Sequence, residues 1–272
     1  MDTTRKQIYL AALLHDIGKF YQRADESSIA KSKFLDNDIK NLENIFCPED
    51  KKIKGKRTHK HILWTAQFIK DFELHLKGFF SKETDSSIDV LLRLSAIHHN
   101  PSGNEINELI IQKADHYSSG ADRSVFEDDW KDELEQNSWD SFKKIRMRSI
   151  FEGISLKNNN SEVWETEYKN RLSLNELQLT EKFFKHETKD EIPNYLELWR
   201  KFITEVKFIQ TSSFKTFSET LLFLLEKYTS RIPSSTQHLP DVSLYDHSKT
   251  TAAFAVCLYD YILFNKNSFP LS

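Results

Sequence analysis

The sequence predicts an all-α protein, and two observations lead there. Its 272 residues hold only six glycines, no two adjacent, and six prolines. Apolar residues recur at helical spacing over long stretches, the mark of helices that bury one face. A hydrophobic content of 39% supports a core, and 29% charged residues suit a soluble surface. The net charge of −3 gives no global basic field, so contact with nucleic acid has to rest on local patches and on a site metal. Separated glycines exclude a phosphate-cradling loop of the P-loop or dinucleotide type. Two cysteines, Cys47 and Cys257, without Cys-x-x-Cys spacing argue against a disulfide framework or a zinc-thiolate site and fit a reducing cytosol. No apolar run approaches the roughly 20 residues that span a bilayer, and no signal peptide precedes the first helix, so the expected location is cytoplasmic with no membrane partner.

The first helix is expected over residues 4–23. It contains Leu13-Leu14-His15-Asp16-Ile17-Gly18-Lys19-Phe20, the stretch around which the chain is organised. A carboxylate in an apolar run is costly to desolvate unless compensated. A bound cation would compensate Asp16, with His15 as a second ligand. Gly18 is expected to let a metal or phosphate approach the backbone, and Lys19 offers a point charge to a phosphate. Residues 25–57 read as a surface loop ending in the basic run Lys51, Lys52, Lys54, Lys56, Arg57. Lys56 and Arg57 are candidate nucleic-acid contacts, weighed against a merely solvated face.

A second helix is expected from Thr58, as N-cap, to about Phe80. His61 in its first turn is preferred to His59 because it precedes the apolar face by helical spacing, and His75 is given no role. A third helix starts near Ser86 and stops at His98-His99-Asn100-Pro101, where proline breaks it. The partial negative end of that helix suits a cation beside His98 and His99. The fourth helix covers roughly 104–118 and carries Asp115 at the edge of its apolar face. It is followed by His116-Tyr117-Ser118-Ser119-Gly120, read as a helix stop. Residues 121–175 are the least informative. Glu127 to Glu133 is an acidic, solvated run, Arg148-Ser149-Ile150-Phe151 a short extended piece and 157–161 a loop. Further helices are expected over 175–187, 193–210 and 213–229, closed by Ile232-Pro233-Ser234-Ser235-Thr236. The last helix starts at Asp246-His247-Ser248-Lys249 and runs to Tyr259. His247, Thr251, Phe254 and Leu258 share a face, and alanines allow close packing. Tyr21, Trp64 and Tyr117 are read as core residues rather than base-stacking platforms.

Imidazole and carboxylate without thiolate suit Mn, Fe, Ni, Co or Zn better than Ca or Mg. Such a metal binds a phosphate oxygen and acidifies a bound water, the chemistry of phosphodiester hydrolysis.

The set His15-Asp16, His61, His98-His99, Asp115 and His247 resembles the HD superfamily of metal-dependent phosphohydrolases. In that family a lone histidine in a His-Ser-x-x-x-Ala-Ala helix comes first. Here His247-Ser248 to Ala252-Ala253 comes last, so the HD-domain-like helical bundle is circularly permuted, with room for a few short extended segments. Histidines between His-Asp and the distal Asp are similar to those of the HD nuclease in type I CRISPR systems. The wording of Leu10 to Arg23, Lys60-His61, His98 to Pro101, Ala114-Asp115 with Ser118-Ser119-Gly120, Pro233 to Thr236 and Asp241 to Tyr261 is similar to the N-terminal part of the largest subunits of type III-A CRISPR effectors, the Csm complexes.

This resemblance implies a nuclease for single-stranded DNA, activated by target RNA in the assembly, with divalent Mn, Ni or Co as cofactor and with other Csm subunits and guide RNA as partners. It implies Asp16 and Lys19 as catalytic residues. It implies His15, Asp16, His61, His98, His99, Asp115 and His247 as metal ligands, with the choice between His98 and His99 open and His247 the weakest. It divides the chain into an HD core over 1–125, a helical insert over 126–240 and a final motif helix over 241–272. No adjacent glycines means no Gly-Gly-Asp-Asp palm motif, so a fragment stopping before the palm, without cyclase activity, is expected. Two alternatives are an HD phosphohydrolase for small nucleotides and a non-catalytic scaffold docking neighbouring subunits.

Overall fold

Helix α1 (Thr3–Leu14) is enclosed by its neighbours: Ile8, Leu10, Ala11, Ala12, Leu13 and Leu14 are all buried. Each large apolar side chain among them contributes roughly 2 kcal/mol by leaving water. The computed structural model describes residues 2–25, 27–80, 86–122, 141–148, 171–178, 186–187, 194–210, 212–236 and 240–268. Asp2 caps α1, its carboxylate accepting the Arg5 N–H at 3.1 Å.

The helix expected over 4–23 is two helices. α1 ends at Leu14, and α2 spans Ile17–Ala24. Asp16 leaves helical geometry at φ −107°, ψ 5°. The carbonyl of His15 accepts the Thr65 hydroxyl at 2.9 Å, and that oxygen accepts the Gly18 N–H at 3.0 Å. Gly18 is therefore reserved for a helix rather than for a metal or phosphate. A Cβ there would lie 2.0 Å from the His61 carbonyl and 2.6 Å from the Thr65 nitrogen.

The 25–57 stretch holds two four-residue helices, α3 (Asn37–Lys40) and α4 (Glu43–Phe46), and a hairpin-like excursion closed by a bridge between Glu49 and Arg57. The helix expected over 58–80 is also two: α5 (His61–Asp71) and α6 (Glu73–Lys77), parted at Phe72. Thr58 is not its cap, because the Thr58 hydroxyl donates to the Pro48 carbonyl at 3.2 Å. His59 turns the chain into α5 with φ +54°. α7 (Ser86–Ala96) follows as expected, but α8 (Ile106–Asp122) is a correction: it runs through the expected stop at His116 to Gly120, because its backbone stays helical to Asp122.

A short α9 (Ser141–Lys144) and an antiparallel pair, β1 (Arg171–Leu172) with β2 (His186–Glu187), lie between the helical halves. The expected 175–187 helix is a correction: 175–178 is not helical and 186–187 is β2, since its backbone pairs with β1; 179–185 lie outside the described residues. So do the acidic run at 127–133, the loop at 157–161 and residues 149–151 of the expected extended piece. α10 (Tyr195–Val206), α11 (Phe214–Thr229) and α12 (Leu244–Ser268) complete the chain.

α12 packs against α1 and α8, and α2 packs against α5 and α10. Phe20, Phe68, Trp199, Phe202 and Tyr228 join these layers edge to face and by stacking. Trp64 is buried, and Tyr21 stacks on Trp199 at 4.2 Å, so both are core residues. Tyr117 is a correction: at 54% exposure it lies on the surface against Phe254, because its side of α8 faces out. Among the described residues no helix is long and apolar enough to cross a membrane.

Candidate metal centre

The break after α1 turns His15 and Asp16 inward, where both are fully buried. The first turn of α5 brings His61, the end of α7 brings His98 and His99, α8 brings Asp115, and the first turn of α12 brings His247. All seven residues named from the sequence therefore converge, in two overlapping donor groups. Asp16, His61, His98 and His99 offer donor atoms within 4.8 Å of one another, as do His15, Asp16 and His247. Asp115 joins the second group, with Oδ1 3.2 Å from His247 Nε2 and 3.6 Å from His15 Nε2.

Asp16 is the shared member. Its Oδ1 lies 3.0 Å from His61 Nε2, and its Oδ2 lies 3.3 Å from Nε2 of both His15 and His247. Lys19 closes the arrangement, its ammonium 2.6 Å from Asp16 Oδ2 and donating to the Ser234 carbonyl at 2.8 Å.

The outer nitrogens of three rings are held. His15 Nδ1 donates to the Ala12 carbonyl at 2.7 Å and His98 Nδ1 to the Ser95 carbonyl at 2.8 Å. His247 Nδ1 is 3.0 Å from the Ser118 hydroxyl. Such bonds fix the ring and leave the lone pair on Nε2 facing inward, as metal ligation requires. His98 Nε2 is buried without a hydrogen-bond partner, and the buried Asp16 Oδ1 and His61 Nε2 have none beyond their own 3.0 Å approach. The Nε2 atoms of His15 and His247 approach to 3.2 Å. Buried lone pairs and carboxylate oxygens directed at one another repel unless a cation lies among them. The residues present fit a divalent metal.

Electrostatics agree. Burial pushes the His61 imidazole down to about 4 and that of His98 to about 3, and it holds His99 well below the ordinary histidine value. Neutral imidazoles are the form that binds metal. Burial opposes ionisation of Asp16 and Asp115, but Lys19 and His15 around Asp16, and His15 and His247 around Asp115, hold both well below the carboxylate range. Burial likewise opposes charge on His15, while Asp16 and Asp115 raise it.

The two expected nucleic-acid contacts lie outside this cluster. Lys56 is exposed on the hairpin with its ammonium 3.8 Å from Asp50, and the Arg57 guanidinium donates to the Cys47 carbonyl at 3.2 Å. Three contributors were not singled out from sequence. Ser118 orients His247, and Thr65 ties the His15 carbonyl to α5. His59 was passed over for His61, yet its ring packs on His99 with centroids 4.0 Å apart. Adjacent histidines were the only signal, and nothing in the pattern marked the two hydroxyls.

A helical bundle that gathers His-Asp, further histidines and a distal Asp around one buried cluster is an HD-type metal-binding fold. Residues 2–120, a little under half of the chain, match the HD domain family. The expected resemblance to type III-A effector subunits holds along nearly the whole chain. It is 34% identical, over 94% of its length, to the CRISPR system single-strand-specific deoxyribonuclease Cas10/Csm1 (subtype III-A) of Methanocaldococcus jannaschii. It is 27% identical, also over 94%, to the protein of the same description from Enterococcus italicus. The chain spans 28% and 29% of those relatives. A solved Csm1-Csm4 subcomplex of the type III-A CRISPR-Csm interference complex shares the fold at TM-score 0.51 and 16% identity, covering 94% of this chain and 28% of that one.

Proposed function

We propose that this chain is the metal-dependent nuclease unit of a type III CRISPR effector and cuts single-stranded DNA. One observation carries the reading: buried Nε2 atoms of His15, His61, His98 and His247 face the carboxylates of Asp16 and Asp115 within one cluster, where Lys19 is the one fixed ammonium among the described residues. His61, His98, His99 and Asp16 would hold one divalent ion, and His15, His247, Asp115 and Asp16 a second, with Asp16 shared. Imidazole-rich donors without thiolate favour Mn, Ni or Co. A bound ion of this kind polarises a phosphoryl oxygen and makes water nucleophilic near neutral pH. Asp16, as the carboxylate common to both donor groups, would hold the ions and orient a water beside them. Lys19, 25% exposed, sits between Asp16 and solvent, where its third N–H can meet a phosphate oxygen. Lys56 and Arg57 are the expected backbone contacts of the strand.

In the full assembly the partners would be other Csm subunits and a guide RNA, with target RNA as activator, in the cytoplasm. A docking role accompanies the enzymatic one. Phe208 is 80% and Phe223 60% exposed on the α10–α11 half, surface that neighbouring subunits would cover. The HD core, insert and final motif helix retain their proposed division at 125 and 240.

The test is cleavage of end-labelled single-stranded DNA in Mn²⁺ or Ni²⁺ by this chain and by Asp16→Ala. Cleavage abolished by the substitution is expected. Equal cleavage by both would sink the assignment. Faster hydrolysis of mononucleotides than of oligonucleotides would replace it with a small-nucleotide phosphohydrolase.

A further inference from the structure

The hairpin of residues 48–58 leads directly to the metal centre. Its backbone is paired from Pro48 to Thr58: the Thr58 N–H donates to the Pro48 carbonyl at 2.9 Å and the Asp50 N–H to Lys56 at 2.7 Å. Gly55, at φ +78°, makes the turn that this pairing needs. The acids of the hairpin are consumed within it. Glu49 Oε1 accepts the Gly55 N–H at 2.7 Å, and Asp50 Oδ1 accepts the N–H groups of Lys52 and Ile53.

Lys51, Lys52 and Lys54 are exposed and have no carboxylate partner among the described residues. A chain of net charge −3 thus presents three exposed ammonium groups outside any ion pair on one tip, with Asp50 near Lys52 the carboxylate that feels their charge. Lys54 lies five positions before His59, a reach of at most about 18 Å. His59 is exposed, holds the left-handed conformation at φ +54°, and places its ring against the proposed ligand His99. A non-glycine residue held in that region at a site is a pointer to function.

We propose that this hairpin and His59 form the entry track for a single nucleic-acid strand. Lys51, Lys52 and Lys54 hold its backbone phosphates, and His59 takes a base at the mouth of the metal centre. This deepens the nuclease reading and rests on it for the strand's destination. A polyanion is the partner because the tip carries charge without a fixed carboxylate pattern. A nucleic acid is preferred to an acidic protein because the track ends at a ring and a metal cluster suited to a base and a phosphodiester. Phosphate contacts supply affinity without sequence preference, and stacking on a ring supplies register.

The experiment is fluorescence anisotropy of a labelled oligothymidylate on the full chain in EDTA, across a salt series. The variant Lys51→Gln/Lys52→Gln/Lys54→Gln is expected to bind at least tenfold more weakly, with the log–log salt slope reduced by about 2, three phosphates at about 0.7 each. His59→Ala is expected to lose about fivefold or more in affinity and His59→Phe to retain it. Mn²⁺ affinity measured by calorimetry is the control that a merely structural role would disturb. An unchanged Kd and slope in the lysine variant overturns the track, as does equal competition by polyglutamate of matched charge. A loss of Mn²⁺ affinity in His59→Ala as large as in His99→Ala overturns the role of His59. Lysine-dependent binding without metal-dependent hydrolysis would sink the nuclease reading and leave the track standing. Hydrolysis of bis-p-nitrophenyl phosphate without strand binding would do the reverse.

Discussion

His15 and His247 face each other Nε2 to Nε2 at 3.2 Å, although 232 residues separate them in the chain. The first and last motif helices, α1 and α12, pack together, and that contact builds one side of the proposed metal centre. A cation held by both rings would replace that nitrogen-to-nitrogen contact with two metal–nitrogen bonds. Mn²⁺ at 100 times its Kd should therefore raise stability by about 2.7 kcal/mol. Differential scanning fluorimetry should show the rise in Tm for the unaltered chain and its loss in Asp16→Ala. No rise in the unaltered chain would contradict a metal centre here.

Ser118 acts through His247, its hydroxyl 3.0 Å from Nδ1. Ser118→Ala should lower metal affinity roughly 10- to 100-fold while leaving the fold in place. Calorimetry with Mn²⁺ reads the affinity and circular dichroism the fold. An affinity equal to the unaltered chain would show that the ring is oriented without the hydroxyl.

Gly18 lies where α2 meets α5, with backbone atoms at 2.0 and 2.6 Å from the position of a Cβ. Backbone cannot rotate away as a side chain can. Gly18→Ala should cost about 3 kcal/mol or more, at the upper end of overpacking penalties. A urea denaturation midpoint within error of the unaltered chain would refute the close approach.

Glu108 braces the turn that carries His98 and His99. It accepts Arg93 Nε at 2.6 Å and both the N–H and the hydroxyl of Ser102 at 2.9 Å. Burial alone would raise its pKa, but the bonds from Ser102 and Arg93 hold it below the ordinary value of 4.5. A folded pKa below the unfolded one gives stability that is present above about 4.5 and lost as pH falls through the folded value. Glu108→Gln should therefore lower Tm at pH 7, and the gap from the unaltered chain should close as pH drops below about 4.5. A gap that stays constant from pH 7 to pH 3 would remove Glu108 from the acid sensitivity.

The ligand types and the helices that bear them were legible because chemistry of this kind is local. His-Asp in an apolar helix, a His pair before proline and an Asp at a helix edge are each patterns within a turn or two. The break at Asp16 was not legible. Helical spacing continues through it, and what ends the helix is the Thr65 hydroxyl taking the His15 carbonyl from 50 residues away. Thr58 looked like a cap because its residue type favours that role, but the Pro48 carbonyl claimed its hydroxyl. Gly18 looked like an opening for a ligand and is instead filled by α5.

The sequence by itself determined the helical class, since periodicity is a property of short stretches, and its resemblance to the HD superfamily implied the permuted order of the motifs and the seven candidate ligands. Only the tertiary structure decided that these candidate ligands form two groups sharing Asp16, that the Ser118 hydroxyl meets His247 Nδ1, and that the His59 ring packs on His99. Those are distances between residues remote in the chain. They are set by how α1, α5, α7, α8 and α12 pack.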